Sequence, residues 1–133
     1  MTDERRESGI VEWAALTIDC PDPGVLADFY AAALGGTVSG RCVDSAFLQT
    51  AGMAFVFRAV AEFRASTWPS PEVPLHSHFE LVVEDLAGAV ERTVELGARR
   101  AEGQDWDSPN LVVMLDPAGH PFCLMRSSAA RKP

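Results

Sequence analysis

His78 and Glu80 stand one residue apart in an apolar run, and Cys123 interrupts a second apolar run near the C-terminus. An imidazole that titrates near neutral pH can serve as ligand, base or hydrogen-bond donor, or rest as a hydrogen-bonded side chain in a partly wet pocket. Glu80 can orient His78, or act as a carboxylate base with a raised pKa in a dry setting. Its structural alternative is an ion pair with Arg58 or another neighbour. Cys123 becomes a thiolate nucleophile only where a base such as His78 is near enough to activate it. Otherwise a cysteine on a buried strand is a small apolar filler. Arg58 can hold a ligand carboxylate or extend into solvent. His120 follows Gly119 in a turn and reads as structural, and His76 reads as a solvated residue ahead of His78.

A repeat decides how these groups are positioned. From Ala15 to Gly36 the chain runs as an apolar strand, Asp22-Pro23, an amphipathic helix and Leu34-Gly35-Gly36; from His78 to Ala98 it runs as strand, Asp85-Leu86, helix and Leu96-Gly97-Ala98. The segment from Ala51 to Phe57 is echoed by Ala118 to Leu124, so each copy ends on the same turn and strand. Asp22 suits a helix N-cap and Pro23 the first helical turn, where the missing N–H has no partner to lose. Strands are predicted near 36–41, 43–50 and 53–59, then at 77–83, with a helix from Asp85 to Leu96 and strands near 98–102, 110–115 and 121–126. The predicted organisation is a tail over 1–10, a βαβββ module over 11–60, a Pro-rich linker over 61–75, a second βαβββ module over 76–126 and a tail over 127–133.

Side chains two apart on a strand share a face. One phase is bulky and apolar, with Leu16, Ile18, Phe55, Phe57, Phe79, Leu81, Val83, Phe122 and Leu124, and is expected to pack beneath the helices. The opposite phase carries Ala15, Thr17, Asp19, Ala54, Val56, Arg58, His78, Glu80, Val82, Cys123 and Met125. A sheet covered by helices on one side and mixed on the other reads as a curved sheet around a hollow that receives a ligand. The candidate ligand-binding residues are Thr17, Asp19, Val56, Arg58, Cys123 and Met125, with Trp68 and Trp106 as aromatic cover from loops and Trp13 near the rim. His78 and Glu80 are the catalytic candidates.

Composition narrows the classes. A chain of 133 residues with 47% apolar side chains can bury one core. A net charge of −8 opposes a nucleic-acid backbone. No segment approaches the roughly 18 apolar residues of a membrane span, and the start lacks an apolar signal core. A cytoplasmic location is expected, with no membrane or nucleic-acid partner. The three cysteines form no CxxC pair, so neither a disulfide framework nor a zinc knuckle is suggested.

With Asp22-Pro23, Phe29-Tyr30, Leu34-Gly35-Gly36, the strand from His78 to Asp85 and Asp116-Pro117-Ala118-Gly119-His120-Pro121-Phe122, the chain resembles the vicinal oxygen chelate superfamily of glyoxalases, bleomycin-resistance proteins and ring-cleaving dioxygenases. It is most similar to the glyoxalase-like subgroup. The resemblance spans about 11–126 and implies an α+β fold: two βαβββ modules forming a U-shaped mixed sheet cup, helices on the convex side, and a homodimer. In the metal-dependent members, donors come from the first and last strands of each module. Those positions fall here on Ala15, Val56, His78 and Cys123, so His78 is the only retained family ligand and two positions offer no donor. The expectation is a protein that binds a small organic ligand in the cup without the usual divalent metal and with no cofactor. The alternative is a lyase, isomerase or dioxygenase of the same fold, using an atypical metal site or acid–base chemistry from His78 and Glu80.

Overall fold

The computed structural model describes residues 9–68, 71–75, 77–102 and 109–127. The first module comprises β1 (Leu16–Cys20), α1 (Pro23–Leu34), β2 (Thr37–Ser39), β3 (Ser45–Gln49) and β4 (Ala54–Ala59). The second comprises β5 (Phe79–Val83), α2 (Leu86–Glu95), β6 (Arg99–Arg100), β7 (Leu111–Leu115) and β8 (Pro121–Arg126). Helix α1 begins where Asp22 accepts hydrogen bonds from the Gly24 and Val25 N–H groups at 3.1 and 3.3 Å. It ends at Gly35, whose φ of 77° returns its N–H to the Ala31 carbonyl at 2.9 Å. Asp85 caps α2 through the Gly88 N–H at 3.0 Å. The repeat seen in the sequence is thus a repeat of capping chemistry.

Each module forms a four-stranded mixed sheet, with orders β1-β4-β3-β2 and β5-β8-β7-β6. The first strand of each lies parallel to the last. This register sets Thr17 beside Val56, Asp19 beside Arg58, Glu80 beside Cys123 and Val82 beside Met125. The mixed phase therefore stays on one face of each sheet, and the apolar phase on the other builds a single core from both modules. Phe55, Phe57, Phe122, Leu48, Leu124 and Met114 are fully buried. Tyr30 of α1 lies among the aromatics, stacked on Phe57 at 5.8 Å and edge-on to Phe79 at 5.6 Å. Burial of each such side chain contributes roughly 1.5–3 kcal/mol, so this shared cluster, more than any strand pairing between sheets, holds the modules together.

Leu16 departs from expectation. It belongs to the apolar phase yet is 42% exposed: it opens β1, an edge strand with β4 as its one neighbour in the sheet, and it lines a cavity. The strand after α2 is also shorter than predicted, reduced to Arg99–Arg100. Among the described residues no helix is long and apolar enough to cross a membrane.

Candidate functional site

The edge strands β1 and β5 line a common cavity of about 450 Å³. Leu16, Thr17, Ile18 and Asp19 come from β1, and Ser77, His78 and Phe79 from β5 and its approach. The linker contributes Phe63, Arg64, Ser66 and Val73 to Leu75, while Tyr30, Asp116, His120 and Pro121 complete the wall. The linker is a fastened strap. Val73 bonds back to Thr67 through N–H to Oγ1 at 2.9 Å, and its carbonyl accepts from the Thr67 N–H at 2.8 Å and the Ser66 hydroxyl at 3.0 Å. Phe63 packs edge-on against His120 at 5.3 Å. Gly119, at φ 90°, lets the strap approach so closely that a Cβ there would lie 2.9 Å from the Ala65 Cβ.

A polar network is set into the cavity wall. The Tyr30 hydroxyl donates to one Asp116 carboxylate oxygen at 2.6 Å, and the Ala118 and His120 N–H groups donate to the other at 2.9 and 3.0 Å. His120 Nε2 lies 2.7 Å from the Asp19 carbonyl. A carbonyl only accepts, so Nε2 carries the proton. Burial pushes the Asp116 carboxyl above the usual carboxylate range, opposed by its hydrogen bonds from Tyr30, His120 and Ala118 and by the His120 ring. Burial and the adjacent Asp116 hold the Tyr30 phenol well above its ordinary value, so it remains a neutral donor.

A second neighbourhood lies on the mixed sheet face and meets the cavity at His78. His78, Glu80 and Cys123 offer donor atoms that lie within 4.8 Å of one another. His78 Nε2 stands 3.6 Å from a Glu80 carboxylate oxygen, and the His78 ring stacks nearly parallel on Trp68 at 5.9 Å. Cys123 is 4% exposed, and its thiol is pushed up by burial and then by the negative Glu80. That environment keeps the sulfur protonated and makes Cys123 an inert filler in the absence of a cation.

The structure thus sorts the sequence candidates. Thr17, Asp19 and His78 line the cavity; Trp68 stacks on His78; Glu80 and Cys123 meet His78 on the sheet face. Val56, Arg58 and Met125 share that face without lining the cavity. Arg58 pairs with Asp19, its Nη2 and Nε 3.0 and 3.1 Å from one carboxylate oxygen. Glu80 therefore has His78 as its partner and not Arg58. Trp106 and His76 lie outside the described residues. Sequence reasoning passed over Phe63, Arg64 and Ser66, hidden in a segment read as a linker, and the pair Tyr30 and Asp116, whose signal was present in the Asp-Pro-x-Gly-His turn.

Of the four positions that the family resemblance implies for metal donors, Ala15 and Val56 have side chains with no donor atom. The four-position site does not fit this chain. What remains is the mixed nitrogen, carboxylate and sulfur set of His78, Glu80 and Cys123, all from one module.

Solved structures share the whole architecture. A genomically encoded fosfomycin resistance protein, FosX, from Listeria monocytogenes superimposes with a TM-score of 0.64 at 13% identity, over 93% of this chain and 97% of its own. A glyoxalase/bleomycin resistance protein/dioxygenase family enzyme from Burkholderia phytofirmans PsJN gives 0.58 at 18%, over 85% and 96%. A bleomycin resistance determinant encoded on the transposon Tn5 gives 0.50 at 20%, over 87% and 98%. At these identities the likeness establishes the fold alone. No curated protein matches the sequence. The model of the glyoxalase-like domain matches residues 15–125. Nearly the whole folded chain falls within that match, and the protein belongs to the glyoxalase-like domain family of the vicinal oxygen chelate superfamily.

Proposed function

We propose that this protein binds a small organic ligand in the cavity between β1 and β5, without the divalent ion that metal-dependent relatives use. The observation that carries this reading is the cavity itself: about 450 Å³, walled by Leu16, Ile18, Phe63, Phe79 and Pro121, with polar groups at a few fixed points. Ligand sites are typically concave, roughly 300–1,000 Å³ and mostly apolar, with few polar groups to orient the guest. Affinity comes from burial of the ligand's apolar body, and orientation from His78, Thr17 and Ser77. The hydrogen bonds that close the strap spare the ligand the ordering of that loop. Superfamily neighbours named for resistance to fosfomycin and bleomycin support an organic guest as the class of ligand.

Differential scanning fluorimetry against a library of small metabolites and xenobiotics tests it. A true ligand at a hundred times its Kd adds about 2.7 kcal/mol of stability, and His78→Ala should lose most of that gain.

The convergence of His78, Glu80 and Cys123 favours a second reading, an enzyme of this superfamily working through an atypical metal site or through His78 and Glu80 as acid and base. Three donors of these types meet the minimum that zinc requires. Cobalt titration tests the metal-dependent form of the second reading, which requires a stoichiometric complex with thiolate charge-transfer absorption that disappears in Cys123→Ser; the acid–base form requires turnover without added metal that is lost in Glu80→Gln.

A further inference from the structure

The ionisable groups that line the cavity differ in whether their charge is answered. Asp19 is paired with Arg58 at 3.0 Å. Asp116 accepts from Tyr30, Ala118 and His120. The His120 ring is committed to the Asp19 carbonyl, and His78 faces Glu80 at 3.6 Å. Arg64 is the exception. It lines the cavity from the strap as an exposed residue, and among the described residues no carboxylate or hydrogen-bond acceptor engages its guanidinium.

We infer that Arg64 is the anion-binding group of this cavity, and that the guest is a small organic anion: a carboxylate or similar oxyanion carried on an apolar body. This rests on the cavity being the ligand site. The guanidinium is always charged and presents a planar fork of donors that matches an oxyanion two bonds at a time. The apolar wall of Leu16, Ile18, Phe63 and Phe79 takes the remainder of the molecule. The Ser77 hydroxyl stands in the same wall as a further donor, whereas the Ser66 hydroxyl is spent on the Val73 carbonyl. The chain's net charge of −8 does not prevent this, because at physiological salt the Debye length is about 8 Å and distant charges are screened while a direct contact is not. Arg58, which the sequence offered for this role, is occupied by Asp19 and lies off the cavity.

Two dyes of one aromatic skeleton make the test: 8-anilinonaphthalene-1-sulfonate, an anion, and N-phenyl-1-naphthylamine, its uncharged counterpart. Fluorescence titration of the wild-type protein should show both binding, the anion more tightly. Arg64→Gln should weaken the sulfonate by about tenfold, the scale of one charge-assisted contact, and leave the neutral dye unchanged; Arg64→Lys should restore part of the loss. Arg99→Gln, an exposed arginine on β6, should alter neither. Thr17→Trp fills the cavity and should weaken both dyes. Equal sulfonate binding by Arg64→Gln and wild type, with the neutral dye still excluded by Thr17→Trp, would overturn the anion assignment while leaving the cavity as the ligand site. Failure of both dyes to bind, or indifference of both to Thr17→Trp, would overturn the cavity reading and the assignment with it.

Discussion

The Tyr30 hydroxyl and the Asp116 carboxylate meet at 2.6 Å across 86 residues of chain, joining the helix of the first module to the last turn of the second. Both are fully buried. A carboxylate taken out of water must be hydrogen-bonded to be tolerated, and this one draws its donors from both modules. Removing the hydroxyl leaves the buried acceptor short of a partner. Tyr30→Phe should therefore destabilise the protein by about 1.5–3 kcal/mol, read as a lower urea midpoint with little change in m-value.

Asp116 also gives stability a pH dependence of known sign. Burial raises its pKa in the folded state above that of the unfolded chain. The folded state thus holds the proton longer, and the contribution of Asp116 is greatest below the unfolded value and declines as pH rises through the folded value. Urea unfolding of wild type and Asp116→Asn from about pH 4 upward should show the difference between them moving against the wild type as pH increases. A difference that moves the other way would mean that the hydrogen bonds outweigh burial.

The cysteines should separate by accessibility and ionisation. Cys42 is exposed, whereas Cys20 and Cys123 are buried. Burial and the nearby Asp116, Asp22 and Asp19 push the Cys20 thiol up to about 11, and burial with Glu80 raises Cys123. Since the thiolate is the reactive form, alkylation with iodoacetamide at neutral pH should modify Cys42 first, with Cys20 and Cys123 labelled only on unfolding. Mass spectrometry of the digested protein gives the order.

Gly119 should prove intolerant of the smallest substitution. Its φ of 90° and its approach to Ala65 mean that a methyl group meets both backbone strain and a neighbour at 2.9 Å. Gly119→Ala should cost about 1 kcal/mol or more and loosen the strap, so that ligand affinity falls further than global stability alone accounts for. Comparison of the chemical-denaturation midpoint with a binding isotherm separates the two effects.

The fold was legible because its signals are local. Asp22 and Asp85 announce the helix starts, Gly35 an ending, and the alternation through Phe55, Phe57, Phe79 and Phe122 assigns the buried face. The site was legible only in part. Thr17, Asp19 and His78 reach the cavity, but the pairing of Asp19 with Arg58 follows from the parallel register of β1 on β4, a contact between segments that strand alternation does not specify. Arg64 and Phe63 escaped notice because a Pro-rich segment carries no period from which to read a direction. Its position depends on Gly119 and His120, far along the chain.

Thermal denaturation in the presence of a strong chelator, scanned against a small-molecule library and repeated with added zinc, addresses the central claim most directly. The account predicts compounds that raise the Tm equally with and without the metal, and that lose their effect in Thr17→Trp. Stabilisation that appears only when zinc is present, and vanishes on replacing His78 or Cys123, would contradict it.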